Sequence, residues 1–545
     1  MNKAWSKNYS KIADAEFPSS ANLLNKMSYD YIHFNDLITT EWVKMLSETA
    51  KNVAPELPIH MKIMPYISST EDYDKRWLIG AGVNPEKVSS YMDISGNDSE
   101  MRFVSGSEKS YSEFLEQKRF AQSMWYEYLG SIKDAPVFNS EDHIIANGNK
   151  DYDIAHRKLM SVSQWMGAVH GRNMDCMWIW DRSSDKTETY ESIMYRPDVY
   201  EKMCEVNLDL KCLANEVYAI MEAEGTVGVL YSETSRIYSK THINAVNTAF
   251  ESIMFNGGKA KFITENTKEA EYKLIIVPYV PYVKQNTVNL LKNHIQNDGK
   301  VIIIGNDSLK YDENSIEYTS DDVKYIRENS TIIAAKPSND VNYIECNTSE
   351  LLQNVAKEIK ALNIADVELR DSKTGERTVD VEYMSVDYNG GKLINICNYD
   401  WDNDKTVTLY IDGKKTEYAK ELRSGENLFG DFTIKSYEPI LIFVPGGNAE
   451  ALIENVYTSD KSVYFNIVSK ISINNAVGIV AVYNMADNRL EDVKFTEITT
   501  DKHTIVPKEC KFDFELKNKK ISVMLWDNLS GIKPLAVSVN IPDES

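Results

Sequence analysis

The sequence predicts a multidomain chain, α/β at first and all-β afterwards: a partial (β/α)8 TIM barrel, a Rossmann/flavodoxin-like α/β domain and two C-terminal β-sandwich modules. Three observations carry this expectation. Up to residue 222, short apolar runs ending in polar, acid-bearing tips alternate with amphipathic helices, as in parallel strands whose C-terminal ends carry chemistry. From Thr226 the strands become nearly continuous apolar runs between helices, which means a parallel sheet covered on both faces. Beyond Val367 the helical period disappears, and short alternating strands are separated by glycine turns. The expected divisions are 1–222, 223–365, 366–447 and 448–545, since 545 residues are too many for one core.

In the first segment Asp36–Asn52 reads as a helix, with Leu37, Trp42, Met45 and Leu46 near helical spacing, leading into a short strand, Leu57–Pro65. A second strand is read at Val88–Ile94, opening into Gly96, Asn97 and Asp98. The helix Tyr111–Leu129 turns aromatic residues inward and stops at Gly130. Next, Ala135, Val137 and Phe138 give way abruptly to Asn139, Ser140, Glu141, Asp142 and His143. The helix Ile154–Val169 follows, then an aromatic strand holding Trp178 and Trp180 and ending in Asp181 and Arg182, then a long helix, Asp198–Glu224. Four strands and four helices make half of an eightfold barrel. A parallel half-barrel leaves its edges open, so either a partner completes it or the protein is incomplete.

The second segment has apolar strands at Val227–Tyr231, Ala260–Thr264, Tyr272–Val277 and Lys300–Gly305, with helices near Ile243–Phe255 and Gln285–Gln296. No phosphate-binding glycine loop follows any of them, and Gly257-Gly258 is too short, which excludes a nucleotide site. In the third segment Thr378–Val386, Lys392–Cys397, Thr406–Ile411 and Ile440–Val444 are divided by turns at Asn389-Gly-Gly, Asp412-Gly and Pro445-Gly-Gly. The last segment adds Ser462–Ile467, Val477–Tyr483, Thr504–Val506 and Ile521–Trp526, with Trp526 read as a sandwich-core aromatic rather than a sugar platform.

Acidic residues number 82 against 60 basic, a formal charge of -22. Such a surface repels nucleic acid and anionic membrane and suits a neutral substrate, or serves solubility alone. No apolar run reaches the length of a membrane span. The start, Met1-Asn-Lys-Ala-Trp-Ser6, has no apolar signal region, which points to the cytoplasm. Six scattered cysteines form no CxxC pair, so neither a zinc site nor a disulfide framework is expected.

Hydrolysing a glycoside with retention takes two carboxyl groups about 5–5.5 Å apart, a nucleophile and an acid/base. Glu141 suits the first role: it ends an apolar strand, is flanked by Asn139 and His143, and can receive a sugar from solvent. An acid in this place could equally cap the next helix. Trp178 and Trp180 alternate along a strand and so point to one side; if that side is the barrel mouth, one can stack on the apolar face of a hexose, the alternative for at least one of them being to fill the barrel core. Asp181 and Arg182 bind sugar hydroxyls or pair with each other. His143 and His170 lack metal-ligand spacing, and Ser140 lacks the glycines of a nucleophile elbow.

The segment Phe34-Asn-Asp-Leu-Ile38 through Pro55-Glu-Leu-Pro-Ile-His-Met-Lys-Ile-Met64 resembles the region after the fourth barrel strand of family 42 glycoside hydrolases, the clan-A β-galactosidases. Asn139–His143 is similar to the nucleophile segment on strand seven, and Met177-Trp-Ile-Trp-Asp-Arg182 to strand eight. Residues 226–305 resemble that family's trimerisation domain, a Rossmann-like module without nucleotide, and the first β-module resembles the small sandwich after it. The last, with Val523–Leu529 and Lys533-Pro-Leu535, looks like an accessory domain of clostridial carbohydrate-active proteins.

The resemblance implies a retaining hydrolase of β-linked galactosides with Glu141 as nucleophile. Asn139, His143, Trp178, Trp180 and Arg182 would form the substrate-binding shell, with no metal or organic cofactor and a homotrimeric assembly. In this clan the acid/base glutamate follows an asparagine on strand four, ahead of an Asn-x-Ala-Trp-like stretch. Here Asn2-Lys-Ala-Trp5 opens the sequence, and Asn215-Glu216 lies inside a helix. Strands one to four and the acid/base are therefore expected to be absent, leaving a truncated or split form that an upstream polypeptide would complete. The alternatives are an inactive carbohydrate-binding or assembly protein, or a hydrolase of another β-glycoside.

Overall fold

The computed structural model describes residues 5–16, 25–64, 82–101, 119–145, 152–181, 192–239, 241–338, 344–446 and 449–541. Helix α1 (Lys26–Val53) starts where the Asn25 side chain accepts the Ser28 N–H. One face buries Tyr29, Ile32, Asp36 and Val43. Roughly opposite, Phe34, Leu37, Ile38, Trp42 and Met45 are each at least 50% exposed. A helix with apolar residues all round is built to be covered on both sides, and among the described residues one side of α1 is bare.

Among the described residues, the stretch read as the strand Leu57–Pro65 pairs through two parallel bridges, His60 to Ile94 and Ile63 to Asn97, and Pro65 lies outside them. The strand read at Val88–Ile94 is instead a short helix, α2 (Pro85–Ser89), and a turn; strand β1 is Ser95–Asn97. The reason is local: Asn84 caps the Lys87 N–H and Pro85 fills the first turn, a helix start that outweighs the apolar residues behind it. Helix α3 (Ala121–Ile132) runs through Gly130 instead of stopping there, and residues 111–118 of the helix read at Tyr111–Leu129 lie outside the description.

Strand β2 (Val137–His143), helix α4 (Ala155–Val169) and strand β3 (Arg172–Trp178) follow, and β1, β2 and β3 lie side by side in parallel. The helix read at Asp198–Glu224 is two, α5 (Pro197–Cys212) and α6 (Ala214–Met221), because Leu213 leaves helical dihedrals.

In the next domain β4 (Val227–Tyr231), β5 (Ala260–Thr264), β6 (Leu274–Pro278), β7 (Lys300–Ile304) and β8 (Thr331–Ile333) form one parallel sheet, in the order β5-β4-β6-β7-β8. This is the doubly wound, flavodoxin-like order, whose ligand crevice lies where the strand order reverses, beyond the ends of β4 and β6. That crevice is filled from within. Ser232 and Thr234 donate to the buried Glu265, and Tyr29 of α1 stacks on Tyr238, which stacks on Tyr282.

Two pairs of mainly antiparallel sheets follow. The first pair joins 367–371, 405–411, 414–415 and 432–434 to a five-stranded sheet built on 381–388 and 391–398. The second joins 451–459, 462–469 and 504–511 to a sheet of 490–500, 473–484, 519–526 and 539–541. In that last sheet Ile521, Val523 and Leu525 face the core, so the alternation places Trp526 on the outer face, half-buried opposite Val477, rather than in the core.

One apolar core runs from Trp125 and Trp165 through Phe250 and Ile276 to Leu393 and Tyr437, while the last module has its own around Phe465, Val480 and Val523. Trp165 Nε1 donates to Asn395 Oδ1 at 2.7 Å, with the Arg423 guanidinium over its ring. At the same junction the fully buried His170 ring touches Glu127 Oε1 at 3.2 Å and Glu382 Oε1 at 2.7 Å, and Lys261 binds the other Glu127 oxygen at 2.6 Å. These groups come from α3, the α4–β3 turn, β5 and the first sandwich. The ion cluster therefore pins three units together.

Candidate active site

Strand β2 owes its chemistry to an irregularity. Asn139 faces Asp175 on β3, yet Asp142 faces Met177, so three steps on β2 match two on β3. The extra residue is a β-bulge at Ser140–Glu141, a device that re-aims side chains next to active sites. Asn139 and Asp142 both turn toward the helices. The buried Asn139 amide donates to Ser99 O at 2.8 Å and to the Tyr126 hydroxyl at 2.9 Å. Asp142 accepts from Gln122 at 2.7 Å and Ser163 at 2.6 Å. Burial, with the neighbouring Asp175 charge, pushes the Asp142 carboxyl well above the usual range. Strict alternation would have put Glu141 beside Asn139; the bulge sends Glu141 and His143 the other way.

There Glu141 meets three groups. His143 Nε2 lies 3.1 Å from its Oε1, and the Lys62 ammonium contacts its Oε2. Lys62 also lies 3.3 Å from Asp98 Oδ2, at the tip of the neighbouring strand β1. Burial alone would raise the Glu141 pKa, but hydrogen bonds from Lys62 and His143 outweigh it and hold the carboxyl below its ordinary value. Asp98 is shifted the other way, up to about 6: burial raises it, the Glu141 charge adds to that, and Lys62 opposes. Ligand atoms of Asp98, Glu141 and His143 all lie within 4.8 Å of one another, a spacing open to a cation, but the Lys62 ammonium already supplies positive charge to both carboxylates.

The other expected site residues are dispersed. The Trp178 ring ends β3 with its centroid 5.6 Å from that of His143. Trp180 lies past the strand end, 54% exposed and edge-on to Tyr200 at 5.5 Å. Arg182 falls outside the described residues. Asn139 stands behind the strand, where its Oδ1 accepts the Glu141 N–H at 3.3 Å. Replacing Asn139 by Ala removes buried donors to Ser99 and Tyr126, and we expect a loss of about 1–3 kcal/mol in chemical denaturation. Two members of the cluster were not read from the sequence. Asp98 carried a signal, since it ends a strand in a polar tip as Glu141 does; Lys62 carried none.

Residues 1–219 match the family model for glycoside hydrolase family 42, described as β-galactosidase. That match covers 219 of the 545 residues. Among solved structures, the family 42 exo-carrageenase of Bacteroides ovatus is 20% identical with a TM-score of 0.68, over 82% of this chain and 60% of that one. A catalytic mutant of a family 42 β-galactosidase from G. stearothermophilus is 15% identical with a TM-score of 0.61, over 81% and 72%. The β-galactosidase of Bacillus circulans sp. alkalophilus is 14% identical with a TM-score of 0.58, over 81% and 73%. What is shared at these identities is the fold: a partial TIM barrel followed by β-rich domains. The chain thus spans 60% of the length of the exo-carrageenase. No curated protein sequence matches it.

Proposed function

We propose that this chain is a β-galactosidase-like retaining glycoside hydrolase acting on β-linked galactosides, with Glu141 as its nucleophile. The observation that carries the reading is the bulge in β2, which turns Glu141 out at a strand tip where Lys62 and His143 hold it ionised. An anionic carboxylate aimed from the C-terminal end of a barrel strand is what attack on an anomeric carbon needs. His143 orients that carboxylate. Trp178, with its ring near that of His143, is the hexose platform, Asn139 fixes the strand from behind, and Trp180 belongs to the outer rim; the role of Arg182, which lies outside the described residues, is carried by the resemblance alone.

The test is a slow substrate, 2,4-dinitrophenyl 2-deoxy-2-fluoro-β-galactoside. Its leaving group departs without a proton, and its fluorine delays release of the sugar ester. Peptide mass spectrometry should find one fluorogalactosyl group on Glu141; label elsewhere, or none, would defeat the assignment.

The same reading holds that the family's usual proton donor lies on strands outside this sequence, in a truncated or split form that another polypeptide completes. The bare apolar face of α1 and the segment at His60–Ile63, bridged on one side only among the described residues, support this, since both are surfaces a further β/α unit would cover. Turnover of aryl β-galactosides by the chain alone is therefore expected to be slow, and brisk turnover would count against the split form. We propose homotrimer assembly through the α/β domain, which light scattering should report as three times 62.2 kDa. A monomer would remove that part of the reading.

A further inference from the structure

We propose that the outer face of the last four-stranded sheet binds a neutral chain of β-linked hexoses, with Trp526 and Phe495 as its platforms. The inference goes beyond the reaction at Glu141 and rests on that reading only in taking galactan as the first ligand. An antiparallel sheet packed on one core commonly turns a polar face to solvent. Here the outer face is largely apolar. On the central strand, 473–484, Val480 and Val482 belong to the module's core, so alternation turns Val477, Ile479, Ala481 and Tyr483 outward. In register, Ile479 stands between Phe495 and Met524, and Val477 between Glu497 and Trp526. Ile479 and Ala481 are buried although they point away from that core, while Phe495 beside them is 58% exposed. Apolar residues at adjoining positions form a patch, unlike scattered surface side chains, and a patch marks a binding surface.

Size, charge and polarity identify the occupant. The patch runs about 20 Å along the strand from Val477 to Tyr483 and about 10 Å across three strands. A footprint of about 200 Å² is far below the roughly 800 Å² that each partner of a stable protein complex buries. An extended oligosaccharide is long and narrow in the same way. Glu497 and Lys520, at opposite ends, carry opposite charges, so neither a cation nor an anion is favoured. The charge of -22 also works against a second copy of the chain. Ser522 pairs with Ala481 on one side and Asn540 on the other, and both polar groups point outward because their neighbours pack on the core. A wholly apolar partner would bury this hydroxyl and amide without hydrogen bonds, which is costly. Sugar hydroxyls donate and accept, and the C–H face of a hexose lies well on an indole or phenyl ring. Apolar surface with a few polar groups that fix orientation is how ligand sites are usually composed. Phe495 and Trp526 stand two strands apart and two positions out of step, about 12 Å between backbones, so one glycan chain can cross both. A polymer held here stays at raised local concentration for the Glu141 site of the same molecule.

The test is affinity electrophoresis of the full chain, carrying Glu141→Gln so that the ligand is not digested, through gels containing soluble β-1,4-galactan or hydroxyethyl cellulose, a β-1,4-glucan. Galactan should slow the chain. Phe495→Ala and Trp526→Ala should each weaken binding by about tenfold, and together abolish it, while Trp526→Tyr should keep most of it. Phe495 lies mostly in solvent, so its variant should unfold at the parent's midpoint and report on binding alone. The proposal is overturned if neither glycan slows the chain, or if both single variants are slowed as much as the parent, which would place the ligand elsewhere. It is also overturned if light scattering shows copies associating through this face and the variants separating them. Retardation by the glucan alone, lost in both variants, would uphold the surface and count instead against the galactoside reading. Retardation by galactan with no label at Glu141 would likewise uphold the surface and remove only the nucleophile.

Discussion

Glu141→Gln should lower galactoside hydrolysis by on the order of 10⁴–10⁶-fold, the scale seen when a covalent nucleophile is removed. The amide keeps the shape and can still accept a hydrogen bond from His143 or Lys62, but it cannot form the glycosyl ester. The loss should therefore fall on the dinitrophenolate burst as well as on steady turnover, which separates it from the effect of losing a proton donor. Thermal unfolding should move little, because Glu141 is partly exposed and its ion pair with Lys62 is open to solvent. Pre-steady-state release of dinitrophenolate, read beside the unfolding curve, is the check. A burst of normal amplitude in the variant would reassign the nucleophile.

The largest stability effect should come from His170→Ala. Its ring is buried between Glu127 and Glu382, and its removal leaves Glu382 without its cation while Glu127 keeps Lys261. Breaking a buried pair from one side costs about 3–5 kcal/mol. The loss should appear as a lower denaturant midpoint shared by the barrel segment, the α/β domain and the first sandwich, which the cluster joins. Unfolding of the last module, with its separate core, should be nearly unchanged.

The pH dependence follows from the same cluster. Burial alone would depress the His170 pKa, but the two carboxylates outweigh it and raise it from 6.5 to about 9. A histidine whose folded pKa is raised contributes its full stability below about 6.5 and loses it as pH climbs through about 9. Glu127 works in the opposite sense. Burial opposes its ionisation, Lys261 and the other cations prevail, and its carboxyl falls to about 2, so its contribution is present above 4.5 and fades as pH drops toward that value. Denaturation of the parent chain should therefore show a plateau between these limits and a decline from pH 6.5 to 9. In His170→Ala that alkaline decline should be markedly reduced.

Much of the architecture was legible along the chain because burial leaves a period. The helices Ala155–Val169 and Gln285–Gln296 and the strands at 227–231, 260–264 and 440–444 fall where the apolar spacing put them. Boundaries went astray where a short-range signal opposed that spacing. The Asn84–Pro85 helix start turned a presumed strand into α2, and Leu213 broke a helix whose apolar pattern ran on without interruption. Trp526 was assigned to the wrong face because Val523–Trp526 is a continuous apolar run, and the pairing and burial show which of its residues alternate inward.

The amino-acid order by itself determined the sequence of layers, the parallel-to-antiparallel change near residue 367, and an acid at the end of an apolar strand. Those properties depend on local dihedral preference and on which positions shed water, and both are written in neighbouring residues. The tertiary structure alone decided where that acid points and what surrounds it. A one-residue bulge turned Glu141 from Asn139 toward His143, and Lys62 and Asp98, 79 and 43 positions away in sequence, arrived beside it. Register and long-range pairing are set by how whole strands and helices pack, and no local spacing records that.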